Sequence, residues 1–214
     1  MGSSRALPAA TERERALLAT AEICAEAGYE GLSAEAIGAR AGIGVDRFEQ
    51  IFGDVESAAK AAIEVPLAAV VSVVGGLYSP DRSEAESYAM AIVGILELMA
   101  ANPAYTYLAY IGGRQMAPPG VREIFSSGHR FLVAMLERLW ASSDLTEQPA
   151  RAGLGALGAA EAVVRREILA GRYKRLPALA PDFVYGAITP FLGQREGLRL
   201  AQLSERLVAE GLER

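Results

Sequence analysis

The stretch from Ser33 to Phe52 constrains this chain more than any other. Two short helical patterns flank a glycine turn at Gly42 and Gly44, and their apolar residues can lock the helices at a steep angle. Within Ala36-Ile37-Gly38-Ala39-Arg40-Ala41-Gly42-Ile43, the side chains of Ile37, Ala41 and Ile43 can face one core. Gly42 supplies the positive φ that the sharp turn needs. The spacing is that of a helix-turn-helix, and it predicts that the second helix, Val45 to Ile51, is offered outward to a DNA major groove.

The flanking residues extend the pattern. Thr11 and Glu14 form a capping box that starts a helix running to Ala27, which stops at Gly28-Tyr29. Ser33 can N-cap the next helix, and Phe48 and Phe52 close the unit. From about Arg13 to Ala58 this order resembles the TetR family of bacterial transcriptional repressors: a first helix with a Gly-Tyr stop, a Ser/Thr-capped helix, a glycine turn and an aromatic-rich recognition helix. The resemblance implies an all-α protein with a three-helix DNA-binding domain over residues 11–54. A larger helical bundle over 55–214 would follow it, for effector binding and dimerisation. Residues 1–10 are expected to be a disordered tail.

On that pattern Gly44 falls where a Ser or Thr caps the recognition helix, and Val45, Asp46 and Arg47 form its exposed first turn. The resemblance also implies contacts that this sequence lacks. Glu49 stands where a tyrosine touches the DNA backbone, Ile51 where a histidine is common, and Val55 where a lysine reaches a phosphate. Arg47 can pair with guanine and Gln50 with adenine, each discriminating by about 1–3 kcal/mol. Ser33 and the free amides beside it can hold a phosphate. The DNA-binding candidates are therefore Ser33, Gly44, Val45, Arg47, Glu49 and Gln50. Two accounts of Glu49 stand: an operator read by acceptor chemistry, since a carboxylate accepts from cytosine N4, or a protein whose DNA affinity has decayed.

Charge opposes the DNA reading. Up to Val55 there are five arginines (Arg5, Arg13, Arg15, Arg40, Arg47) against nine carboxylates, and the whole chain carries −5. Phosphate neutralisation supplies most non-specific affinity, so the few arginines must share one face or binding is weak. The single cysteine, Cys24, excludes an intramolecular disulfide and lies inward with Leu17, Thr20 and Ile23, which points to the cytoplasm. The most apolar segment, Val65 to Tyr78, is interrupted by Pro66, Gly75 and Gly76 and falls short of the roughly 20 residues of a membrane span. No membrane partner is expected.

Beyond Asp54 helical periodicity continues to the end. Helices are predicted near residues 55–77 (bent at Pro66), 83–101, 104–110, 121–142, 149–170, 182–192 and 196–211, with edges marked by a second capping box at Ser83 and Glu86 and by Asn102-Pro103. Small residues crowd the segment 149–170. Gly155, Ala156, Ala159 and Val163, with Ile188 and Phe191 from the later segment, are the candidate homodimer contacts, a C2 arrangement being the commonest solution. For an effector pocket the candidates are Tyr88, Met99, Tyr105, Tyr107, Tyr110, Met116, Phe125, His129 and Trp140. They suit a small, mostly apolar or aromatic ligand. With one histidine, one cysteine and no phosphate-binding glycine loop, neither an enzyme, a cofactor nor a metal site is indicated. The charge runs Arg165-Arg166-Glu167 and Arg172 to Arg175 read as solvated helix ends.

Overall fold

The structure, a computed structural model, describes residues 10–112, 119–141 and 152–211; the side chains of 119–129 and 152–153 fall outside that description. Among the described residues every regular element is helical. Helix α1 (Glu12–Ala27) begins at the expected capping box, in which Thr11 Oγ1 accepts from the Glu14 amide at 3.2 Å and Glu14 accepts from the Thr11 amide at 2.7 Å. Gly28, at φ +71°, ends it. Helices α2 (Ala34–Ala41) and α3 (Val45–Phe52) follow, and Phe48 at their centre is completely buried with Ala16, Ile23, Ile37, Ala41 and Ala58.

Helix α4 (Val55–Leu77) is capped by Asp54, which accepts from the Ser57 amide at 2.7 Å. It stays helical through Pro66, Gly75 and Gly76, so at 23 residues it is long and apolar enough to cross a membrane, contrary to the sequence expectation. The reason is that proline and glycine weaken a helix without ending it when neighbouring helices hold it in place. Here α4 packs on α1 and on α5 (Glu84–Ala101) and buries Ala58, Ala59, Ala62, Ile63 and Val74.

A sharp corner follows α5. Asn102 and Pro103 turn the chain by 110° into α6 (Pro103–Tyr107), and Leu108–Gly112 continues as a π-helical turn rather than as the single α-helix that the periodicity predicts. The corner is tied by Asn102 Nδ2 donating to the Leu98 carbonyl at 2.8 Å and by the buried Thr106 hydroxyl donating to the Met99 carbonyl at 2.9 Å. Helices α7 (Pro119–Ala141), α8 (Ala152–Leu169) and α9 (Ala180–Glu210) complete the bundle. The two expected C-terminal segments run together as α9 but are broken at Gly193, which at φ +81° and ψ 167° leaves the helical region. The main core joins α5, α7, α8 and α9 around Val93, Leu139, Ile168, Val184 and Ile188.

One charge run is not fully solvated. Glu167 is only 5% exposed and receives both Nε and a terminal nitrogen of Arg172, at 2.7 and 2.8 Å. The guanidinium holds its carboxyl down at about 2. The bidentate pair closes the chain from the end of α8 onto the turn that follows it.

Candidate nucleic-acid interface and ligand cavity

The mounting of α3 is built from four local features. Gly42 takes the left-handed conformation, at φ +69° and ψ 40°, and caps α2, while the Ile43 amide donates to the Gly38 carbonyl at 2.9 Å. Gly38 is the point of closest approach: a Cβ there would lie 2.9 Å from the Ile43 carbonyl oxygen. Phe48 and Phe52 contact each other with ring centres 5.4 Å apart. Arg15 reaches across from α1 to donate to the Ala41 carbonyl at 2.9 Å, satisfying a carbonyl at the end of α2. The sequence pattern assigns the turn to Gly42 and Gly44; Gly44 is in fact extended, at φ −74°, and serves as a bare N-cap. Gly38 and Arg15 carry what the pattern misses, because their roles depend on neighbours that local spacing does not reveal.

Asp46, Arg47, Glu49 and Gln50 are exposed, Gly44 is exposed, and Val45 is half-buried. Ser33 accepts from the Ala36 amide at 3.0 Å, so its hydroxyl already caps α2. Arg47 donates to Glu12 of α1 at 2.7 Å and to Gln50 Oε1 at 3.1 Å. The two candidate base readers therefore touch each other, with the guanidinium aligned by a carboxylate. All four described arginines before Val55 have internal partners. Besides Arg15 and Arg47, Arg40 clasps Glu26 through two 2.8 Å bonds, and Arg13 stands 5.6 Å from the centre of the Phe52 ring. Val55, where the family pattern places a phosphate-seeking lysine, packs against the Phe48 cluster.

A cavity of about 220 Å³ opens between α4, α5, α6, α7 and α8. Helix α4 contributes Val65, Pro66 and Val70, and α5 contributes Ile95 and Met99. Tyr105 and Tyr110 line it from the α5–α6 corner onward, Phe131 and Leu132 from α7, and Glu161 from α8. Of the expected pocket residues, Met99, Tyr105 and Tyr110 stand in its wall. Tyr88 does not: it is buried in the main core, where burial raises its hydroxyl's pKa, and Tyr107 and Trp140 also pack on that core. Their spacing matches a ligand wall because core and wall use the same residue types. Met116 lies outside the described residues, as do the side chains of Phe125 and His129. Two further lining residues carry a signal in the sequence itself. Pro66 interrupts an apolar helix, and Glu161 is the only charged residue between Ala152 and Val164.

Tyr105 also faces α1. With Leu108 it packs on the cluster of Leu17, Ala21, Cys24, Ala59 and Ile63, and its pKa is raised by burial first and by Glu22 and Glu14 of α1 second. A Cβ on Gly112 would lie 2.9 Å from Cys24 Sγ. Burial pushes that thiol up to about 11, so it is neutral packing material rather than a nucleophile.

The expected dimer contacts divide. Gly155 and Ala159 are exposed on α8 and Ala156 and Val163 half-buried, whereas Ile188 (0% exposed) and Phe191 (5%) are spent in their own subunit's core and offer no surface. Large apolar side chains at that point of α9 are needed to fill against α5. The outer side of α9 presents Gly186, Pro190 and Gly193 instead. Among the described residues no group of three or more His, Cys, Asp or Glu could hold a metal ion.

No family model and no curated protein matches the sequence. Solved structures do match the fold along nearly the whole chain. A TetR-like transcriptional regulator from Rhodococcus sp. RHA1 aligns with a TM-score of 0.56 at 21% identity, covering 96% of this chain and 98% of its own. The TetR family regulator PfmR from Thermus thermophilus aligns with a TM-score of 0.59 at 17% identity, covering 94% and 100%. A putative TetR family regulator from Shewanella sp. PV-4 gives 0.58 at 14%, covering 93% and 96%. The chain thus has the fold of TetR-family transcriptional regulators.

Proposed function

We propose that the chain is a transcriptional regulator of the TetR family, acting in the cytoplasm as a homodimeric repressor that leaves its operator when a small, mostly apolar effector fills the cavity. Residues 11–54 form the DNA-binding domain and residues 55–214 the effector and dimer domain. The observation that carries the proposal is the mounting of α3. Gly38, Gly42, Arg15 and Phe48 fix the helix from behind, while Arg47 and Gln50 stay on its exposed side.

The Arg47–Glu12 pair does not oppose base reading. Both side chains are about half exposed (52% and 45%), and such a surface pair is worth only about 0–1 kcal/mol. A bidentate pair with guanine outweighs it at about 1–3 kcal/mol. Dimerisation is supported by the outer stripe of α8, where Leu154 is 50% exposed beside Gly155, Gly158 and Ala159. A Cβ on Gly155 or Gly158 would meet nothing within 4 Å, so packing inside the subunit does not require these glycines. A close approach by the same helix of a second copy does.

Effector coupling follows from the shared walls. Tyr105 borders both the cavity and the α1 cluster, and α4 runs from the α3 contact to the cavity wall. A ligand that favours one placement of α1 and α4 by about 1–3 kcal/mol would reset the separation of the two recognition helices.

Mobility shift with the DNA upstream of the protein's own reading frame, across a salt series, tests the proposal. The expected result is a sequence-specific complex, with Arg47→Ala losing about 10–100-fold in discrimination. Unchanged site preference in that variant would refute the role of Arg47. A second reading, an effector-binding module without DNA affinity, is favoured by Glu49 and by the internal engagement of all four described arginines before Val55. Absence of any sequence preference even at low salt would establish it.

A further inference from the structure

We infer that the cavity takes an amphiphile with an apolar body and a cationic end, seated with that end at Glu161. The inference rests on the reading of the cavity as the effector site, and adds the charge of the ligand. Among the described lining residues Glu161 is the single charged side chain, and none is a lysine or arginine. The Thr106 hydroxyl and one N–H of the Asn102 amide already donate within the α5–α6 corner, so of these two residues only the second Asn102 N–H is left to a ligand, and no cationic donor stands among the described lining residues. The aromatic residues Tyr105, Tyr110 and Phe131 stand in the wall, and an aromatic ring attracts a cation over its face.

Glu161 also lines an adjoining hollow of about 210 Å³, shared with Tyr110, Gly158, Ala162 and Arg165. An apolar body in the larger chamber would therefore leave its end between the two spaces. Arg165 borders only the outer hollow, whereas Glu161 borders both, so the carboxylate is the charge that a seated ligand meets first. Glu161 keeps an internal contact of its own, so a ligand cation would share the carboxylate with that contact or compete with it. An apolar ligand that seals the chamber strips water from the carboxylate, and a cationic or strongly donating end makes up for that lost hydration where a neutral apolar end does not.

Calorimetric titration of the full chain with three probes of equal tail length, decyltrimethylammonium, 1-decanol and decanoate, the two ions below their micellar concentrations and the alcohol below its solubility limit, tests the assignment. The cation is expected to bind about tenfold more tightly than the alcohol, with decanoate weakest. In Glu161→Gln the cation should fall to within about twofold of the alcohol, whose own affinity stays put. Decanoate or decanol binding as tightly as the cation would overturn the charge assignment, as would a cation preference that survives Glu161→Gln; the cavity would still stand as a ligand site. If no probe binds, or if Ala109→Trp, which fills the chamber in a variant with an unchanged melting profile, leaves binding intact, the effector reading itself fails and the inference with it.

Discussion

Single side chains in this protein do their work through partners that the linear sequence hides. Arg15 is one of five arginines in an acidic N-terminal stretch, and nothing local marks it as the clamp on the Ala41 carbonyl. Arg47 is legible as a candidate base reader from its place in the first turn of α3, but its alignment by Glu12, 35 positions earlier, is not. Glu167 shows the same limit, since a charge-rich helix end gives no sign that one carboxylate is buried against Arg172. Its behaviour with pH is predictable in sign. Arg172 depresses the folded-state value from 4.5 to about 2, so the stabilisation is complete above 4.5 and fades as pH falls towards 2. Thermal melts of the wild type and Glu167→Gln should accordingly differ most near neutrality and converge over that acid window. A gap that stays constant from neutrality down to pH about 2 would show that the ion pair contributes nothing.

At the level of elements, the caps and the positions of the Gly42 and Asn102-Pro103 corners were readable, and the course of the chain after the second corner was not. Thr11 with Glu14 and Ser83 with Glu86 act within one turn of backbone, so spacing alone located the starts of α1 and α5. The π-helical turn at Leu108–Gly112 depends on fitting Leu108 into the α1 cluster while Tyr110 stays in the cavity wall, a compromise between two sites that local propensity does not encode. The α2–α3 unit divides its three glycines by role, and substitution should separate them. Gly38→Ala drives a Cβ onto the Ile43 carbonyl and should cost about 1–3 kcal/mol. Gly42→Ala must hold a left-handed conformation, at about 1–2 kcal/mol. Gly44→Ser, in extended open space, should be neutral or stabilising by a few tenths of a kcal/mol. Urea unfolding of the three variants checks the ranking, and a Gly38→Ala protein as stable as the wild type would mean that α2 and α3 are less closely packed than described.

Over the whole molecule, the fold was legible because a run of amphipathic helices admits few arrangements once the helix-turn-helix is set, whereas the assignment of surfaces was not. Ile188 and Phe191 suit a twofold contact by being large and apolar; they fill the subunit interior, and the outer face is left to small residues. Leu154→Glu with Ala159→Glu should therefore convert a dimer to a monomer in light scattering with little loss of melting temperature, since Leu154 is half exposed and Ala159 exposed. A mass that remains dimeric would move the contact elsewhere. The seat of Leu108, completely buried among Leu17, Ala21 and Cys24, has a bearing on how such a chain can be recombined. The N-terminal three-helix unit borrows part of its inner wall from the bundle that follows, so grafting it onto another bundle requires one that brings a plug of the same shape.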